Sequence, residues 1–282
     1  MCVTKKRQLF VWGKGKQGRL GLGAEDDVLI PTEIVSLSNL RVVQVSAGES
    51  HSGAITQNGK VYMWGNGSYG RLGTGFEQQE SSPVIIEDLN NKEIVRISCG
   101  ALHTFCLSKD GHLYAFGQNK YGKLGLNVRK ENTAFRSTHI RIVPFKIEPT
   151  GPNSRKMRIV EEPDVAFKQI IAGYNHSMAV SSTKHVYTWG YPGFGILGRD
   201  GVDNIPVPIE TGFDAHEKRK YIVRLAQNVL ALPSDDRVGA VQANQSQIQL
   251  STKIEQVACV ALGTMVLTDK GDIFYVGDTR YG

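Results

Sequence analysis

Short β-type runs bounded by glycine-rich turns set the pattern of apolar and polar positions along this chain. The stretch from Val42 to Gly75 shows the unit most plainly. A first run, 42–47, leads into Gly48-Glu49-Ser50-His51, and a second run follows it. Asn58-Gly59 then turns the chain into a third run, 60–64. Asn-Gly between apolar runs predicts a tight hairpin with both turn positions at positive φ. Trp64-Gly65 opens a loop with further glycines at 67, 70 and 73 and a leucine at 72. So many glycines predict a tight backbone path, not a helix.

The same pattern returns. Stretches 95–125 and 169–198 repeat it, a weaker copy starts at Ile254, and 9–23 supplies the tail of a unit. Trp12, Trp64, Phe116, Trp189 and Val276 fall at equivalent positions, at intervals of 52, 52, 73 and 87 residues. A period near fifty with several short strands per unit predicts a propeller or solenoid. The units cover about 9–41, 42–93, 94–166, 167–253 and 254–282 of one domain.

The G-x-x-H strand, the apolar hairpin and the W-G-x-G-x-x-G-x-L-G loop resemble the regulator-of-chromosome-condensation repeat. The resemblance implies an all-β propeller of that type, typically a ring of seven blades. Seven units need about 364 residues at this period, and the chain has 282. Its first strand (8–12) and its last (272–276) are the same element of the repeat. An incomplete, truncated ring is therefore expected, with self-association through an open edge.

Composition changes this picture little. At 40% apolar content the chain can bury a substantial core. The N-terminal MCVTKKRQLF lacks an apolar signal segment, and no run of 18 apolar residues occurs. An intracellular protein, cytoplasmic or nuclear, with no membrane insertion is expected. Cys99, Cys106 and Cys259 fill positions that hold alanine in other units, so they read as small buried hydrophobes.

Several motifs invite a chemical reading. Gly13–Gly18 and Gly65–Gly70 match G-x-G-x-x-G, yet Arg-Leu-Gly follows each where a dinucleotide site needs a helix. No cofactor is expected. Gly48, Gly100 and Gly173 each precede a histidine by three residues: His51, His103 and His176. With Trp64 and Trp189 these read as structural repeat positions, each imidazole bonding a neighbouring loop or blade. A ring of titratable groups on one face is the alternative. No Ser/His/Asp set, C-x-x-C or H-E-x-x-H stands out from the repeat, so no catalytic or metal residue is assigned.

The period breaks twice, within 128–166 and within 209–253. The first insertion is basic and supplies Arg129, Lys130, Arg136, Arg141, Arg155, Lys156 and Arg158 as candidate contacts. An acidic protein surface or nucleic acid would suit it, though aromatic interleaving is sparse. In the second, Asp214-Ala215-His216-Glu217 has the form of a capping box. Tyr221, Leu225 and Val229 then follow at helical spacing, beside Lys218 and Arg219. One inserted helix over about 215–232 is predicted, packed on the propeller's flank or docked in a partner's groove.

The expected function is a non-enzymatic scaffold or adaptor that presents loops to protein partners. The alternative is a guanine-nucleotide exchange factor for a Ran-like small GTPase, as the resemblance implies; chromatin binding rests only on the basic balance. A plant UV-B photoreceptor of the family depends on tryptophans in Gly-Trp-Arg-His-Thr. The segments here are GESHS, GALHT and GYNHS, so light sensing is not implied.

Overall fold

The computed structural model of the chain describes residues 1–126, 134–135, 145–149, 157–161, 164–193, 196–197, 209–211, 222–225, 254–260, 263–269, 271 and 273–277. Over these residues the chain folds into five antiparallel-type blades in sequence order, as the apolar runs predict. The second blade shows the plan: β4 (Val42–Ala47), β5 (His51–Thr56), β6 (Val61–Gly65) and β7 (Glu80–Ile85) pair in that order. The first blade has β1 (Cys2–Val3), β2 (Leu9–Gly13) and β3 (Val28–Glu33), with β2 in the place of β6. The third has β8 (Ile94–Cys99), β9 (His103–Ser108), β10 (Leu113–Gln118) and the short β11 (Ala134–Phe135).

Next come β12 (Phe145–Pro149) and β13 (Met157–Glu161), a hairpin inside the first insertion. The fourth blade holds β14 (Phe167–Ala172), β15 (His176–Ser181), β16 (Val186–Gly190) and β17 (Ile209–Thr211). The fifth is β18 (Ile222–Leu225), β19 (Ile254–Val260), β20 (Gly263–Thr268) and β21 (Ile273–Gly277), ordered β18-β21-β20-β19.

The core is distributed, because a single twisted sheet of this size has two faces and each must be covered. One apolar cluster therefore sits between each successive pair of blades. Leu9, Val11, Leu20 and Leu37 of the first blade meet Val42, Ala54 and Trp64 of the second. Met63 and Leu72 meet Ile97, Cys106 and Phe116, and Phe105 and Leu124 meet Ala179 and Trp189. Met178 and Val186 meet Val257 and Val266. Every residue of β5, β9 and β15 is buried, since each is flanked by strands of its own blade and by both neighbouring blades.

Three expectations need correction. In the Asn58-Gly59 turn only Gly59 has positive φ (72°), and its N–H donates to the Thr56 carbonyl at 2.9 Å. This is a type I turn closed by a glycine bulge, which needs one left-handed residue instead of two. In the third unit, the strand after Pro144 leaves its own blade. β12 pairs parallel to β17, Phe145 opposite Ile209, so the hairpin extends the outer edge of the fourth blade. The third helix-like expectation fails where it can be tested. Residues 222–225 are β18, antiparallel to β21 with Ile222 opposite Val276 and Leu225 opposite Ile273. Ile-Val-Arg-Leu is rich in β-branched residues, and pairing supplies the outermost strand that the fifth blade needs, overriding a stripe with helical spacing. The remainder of 215–232 lies outside the described residues.

Trp64 and Trp189 are fully buried, whereas Trp12 is 42% exposed. Iodide is therefore expected to quench about one third of the native tryptophan emission, and substitution of Trp12 by Phe should abolish that fraction. Full protection of all three indoles would contradict this arrangement of the first blade.

Candidate functional site

The repeated polar residues converge on the seams between blades. His51 Nε2 lies 2.8 Å from Thr104 Oγ1, His103 Nε2 3.1 Å from Ser177 Oγ, and His176 Nε2 3.2 Å from Thr264 Oγ1. Each histidine thus reaches a hydroxyl of the following blade. That hydroxyl also donates to a carbonyl of the histidine's own blade: Thr104 to Arg71 (2.8 Å), Ser177 to Lys123 (2.9 Å) and Thr264 to Ile196 (3.3 Å). Ser52 does the same to Arg19 at 2.9 Å. A hydroxyl has one hydrogen, and here it is spent on the carbonyl, so the imidazole must be the donor. The three rings are therefore Nε2–H tautomers, with Nδ1 buried and unpartnered in each.

Indoles reinforce two of these seams. Trp64 Nε1 donates to the Arg19 carbonyl at 3.0 Å and Trp189 Nε1 to the Lys123 carbonyl at 2.9 Å. Phe116 holds the equivalent place in the third blade without a donor. Gly48 and Gly100 are needed because the histidine ring and the next blade's loop press on them. A Cβ on Gly48 would stand 2.3 Å from the Gly100 carbonyl oxygen, and one on Gly100 would stand 2.6 Å from that of Gly173. A Cβ on Gly173 would meet the His176 ring at 2.7 Å.

Burial keeps these rings neutral. It pushes His51 down to about 3, with the Arg71 charge adding to the effect and a backbone bond to His103 opposing it. His176 falls to about 4 for the same first cause, and His103 lies well below its ordinary value, with Lys123 the next contributor. The alternative of a titrating surface ring has no geometric support, because all three histidines are fully buried. Replacing Thr104 by Val keeps the volume but strands the Arg71 carbonyl and the His51 N–H. A loss of about 2 kcal/mol is expected in chemical denaturation; a change below about 0.5 kcal/mol would show that the seam bond contributes little.

Sequence reasoning identified the histidines and missed their partners. Ser or Thr follows the histidine position in all four copies (Ser52, Thr104, Ser177, Thr264), and that regularity was the available signal. Also missed were the cations at the G-x-L-G position: Arg19, Arg71 and Lys123. Arg71 is buried, donating to Ser68 O at 2.9 Å and Ser50 Oγ at 2.7 Å. Lys123 is fully buried and its ammonium meets Asn175 Oδ1 at 3.3 Å; burial and the Arg71 charge push it down to about 8.

Of the candidate contacts in the insertions, Arg158 and Leu225 fall within the described residues. Arg129, Lys130, Arg136, Arg141, Arg155, Lys156, Lys218, Arg219, Tyr221 and Val229 lie outside the described residues. Arg158 stands on β13 opposite Glu148 of β12, and Leu225 on β18. Among the described residues no three His, Cys, Asp or Glu side chains gather as a metal site, and no helix is long and apolar enough to cross a membrane. The three seam cysteines are free thiols, Cys99 and Cys106 buried and Cys259 half-buried.

Comparison with known proteins gives the same repeat. The regulator of chromosome condensation (RCC1) repeat matches residues 8–55, 58–107 and 110–180, and a second description of it matches 42–71, 94–123 and 167–196. The ultraviolet-B receptor UVR8 of Arabidopsis thaliana is 28% identical over 96% of this chain and 60% of its own length. The RCC2 homolog of Xenopus laevis is 31% identical over 74% of this chain and 41% of its own. The chain thus spans 60% or less of these relatives. Among solved structures, human WBSCR16 superposes with a TM-score of 0.64 at 18% identity, over 98% of this chain and 55% of that one. Yeast RCC1 (Prp20), solved with Kap60, gives 0.58 at 16% identity, over 97% and 65%.

Proposed function

The chain belongs to the RCC1 repeat family of β-propellers, and from that premise we propose that it is a non-enzymatic scaffold or adaptor for protein partners inside the cell. One observation carries the reading. The polar residues that recur from blade to blade are consumed by the seams, whereas the exposed residues change from blade to blade. Leu29, Ile30 and Val35 of the first blade stand where the second has Ser81, Ser82 and Glu87. The first three are more than 70% exposed. A frame of constant joints with variable exposed loops is how repeat propellers serve binding.

The test is crosslinking mass spectrometry on the full chain in cell extract. Reproducible crosslinks from the loops and outer strands to one protein support the reading. Their absence, together with accelerated release of labelled GDP from a Ran-like GTPase, would favour nucleotide exchange instead. Partner binding confined to chromatin DNA would overturn both.

A further inference from the structure

The loops that close the third strands and open the second strands meet at one end of the blades. Asn66 N–H donates to Ser50 O, Gln118 N–H to Leu102 O and Tyr191 N–H to Asn175 O, each at 2.9 Å. Arg19, Arg71 and Lys123 occupy one repeat position there on three consecutive blades, with exposed Lys16 and Lys120 beside them. None of these five has a carboxylate within 4 Å among the described residues. Among the described residues, Lys109 pairs with Glu93 and Lys184 with Glu255. The one acid that acts on both Arg71 and Lys123 is exposed Glu49.

Two buried like charges side by side are costly unless an opposite charge answers them. Of the acids on the first blade's rim, Glu25 acts on Lys16. Asp27 accepts the Gly15 N–H at 2.9 Å and Glu25 the Gln17 N–H at 2.8 Å.

The end then changes character. The fourth blade offers tyrosines: Tyr191 packs on Tyr121 with centroids 4.9 Å apart, and Tyr174 is 51% exposed. Tyr69 and Tyr121 are non-glycine residues held at φ 63°, a strained conformation that turns both rings toward cations. The Arg71 guanidinium lies 5.8 Å from the Tyr69 centroid and the Lys120 ammonium 5.0 Å from that of Tyr121. Strain of this kind is kept where surrounding structure or function demands it.

We propose that this end of the propeller binds an acidic polypeptide segment whose carboxylates face Lys16, Arg19 and Lys120 and whose following aromatic or aliphatic residue sits on Tyr174 and Tyr191. The inference rests on the scaffold reading and names its partner class. Charge complementarity selects the acidic segment. Nucleic acid fits less well: two of the cations are buried, so they cannot line a backbone track.

The test uses the full chain and a fluorescent synthetic peptide of several Glu and Asp residues followed by Phe-Leu, read by anisotropy. Saturable binding is expected, weakened about tenfold by the pair Lys16→Glu and Lys120→Glu, and further weakened by added salt. Tyr174→Ala should weaken the Phe-Leu peptide and leave an all-acidic control unchanged. The charge swaps lie on exposed side chains, so an unchanged melting curve is expected alongside. Absence of peptide binding, binding indifferent to the charge swaps, or tighter binding of a charge-matched single-stranded DNA would each overturn the proposal. Partner crosslinks that persist in the double variant would leave the scaffold reading standing while removing this surface from it.

Discussion

Lowering the pH from about 7.5 to 5 is expected to remove roughly 4 kcal/mol of stability through His51 and His176, and more through His103. The cause is the three seam histidines. In the unfolded chain each titrates near the ordinary value of about 6.5, whereas in the fold His51 titrates at about 3 and His176 at about 4. His103 lies well below 6.5 as well. The folded values are depressed, so between these limits the unfolded state binds more protons. Stability is therefore full above about 6.5 and falls with pH through the window from 6.5 towards 4. His51 and His176 each contribute about 1.4 kcal/mol per pH unit within that window, or about 2 kcal/mol by pH 5, and His103 adds in the same direction. Urea denaturation across this range reads the slope directly. Replacing His103 by Asn should lower stability at pH 7.5 but flatten the pH dependence. A loss below about 2 kcal/mol by pH 5, or a slope untouched by that substitution, would mean the rings open to water before they protonate.

The blades were legible because the feature that makes them is local. Runs such as Val61–Gly65 and the glycines around them encode strand and turn within a dozen residues, and a 52-residue period repeats the message. The seam was half legible. His51 and His103 recur visibly, but their partners lie 53 and 74 residues away, and only the regular Ser or Thr after each histidine hinted at them. The carbonyls of Arg19, Arg71 and Lys123 leave no trace in a sequence, since every residue has one. Where the period broke, local pattern gave the wrong answer. Ile222–Leu225 carries apolar residues that suit a helix stripe and a strand alike, and the choice was made by the unpaired edge of β21. β12 found its partner in β17 and not in β10. β18 is an edge strand, and its pairing depends on which neighbour is open as much as on its own residues.

Gly67→Ala is expected to cost about 3 kcal/mol, although Gly67 has an ordinary φ of −93° and alanine suits its backbone. The reason is space. An added Cβ would lie 1.7 Å from the Gln78 carbonyl oxygen, a backbone atom on the way into β7, so the outer strand must move. Gly15 repeats the arrangement in the first blade, its Cβ falling 1.8 Å from the Asp26 carbonyl oxygen. The third blade has Asn119 at this position, and there the outer strand is the two-residue β11, with the insertion beginning soon after. Gly75→Ala provides the opposite control. Gly75 has φ 85° and open space around it, so alanine there costs only the left-handed conformation, about 1 kcal/mol. Urea midpoints of the two variants decide the matter. Equal losses would show that β7 yields without penalty, and a larger loss at Gly75 would show that backbone conformation, not the close approach of Gln78, governs the loop.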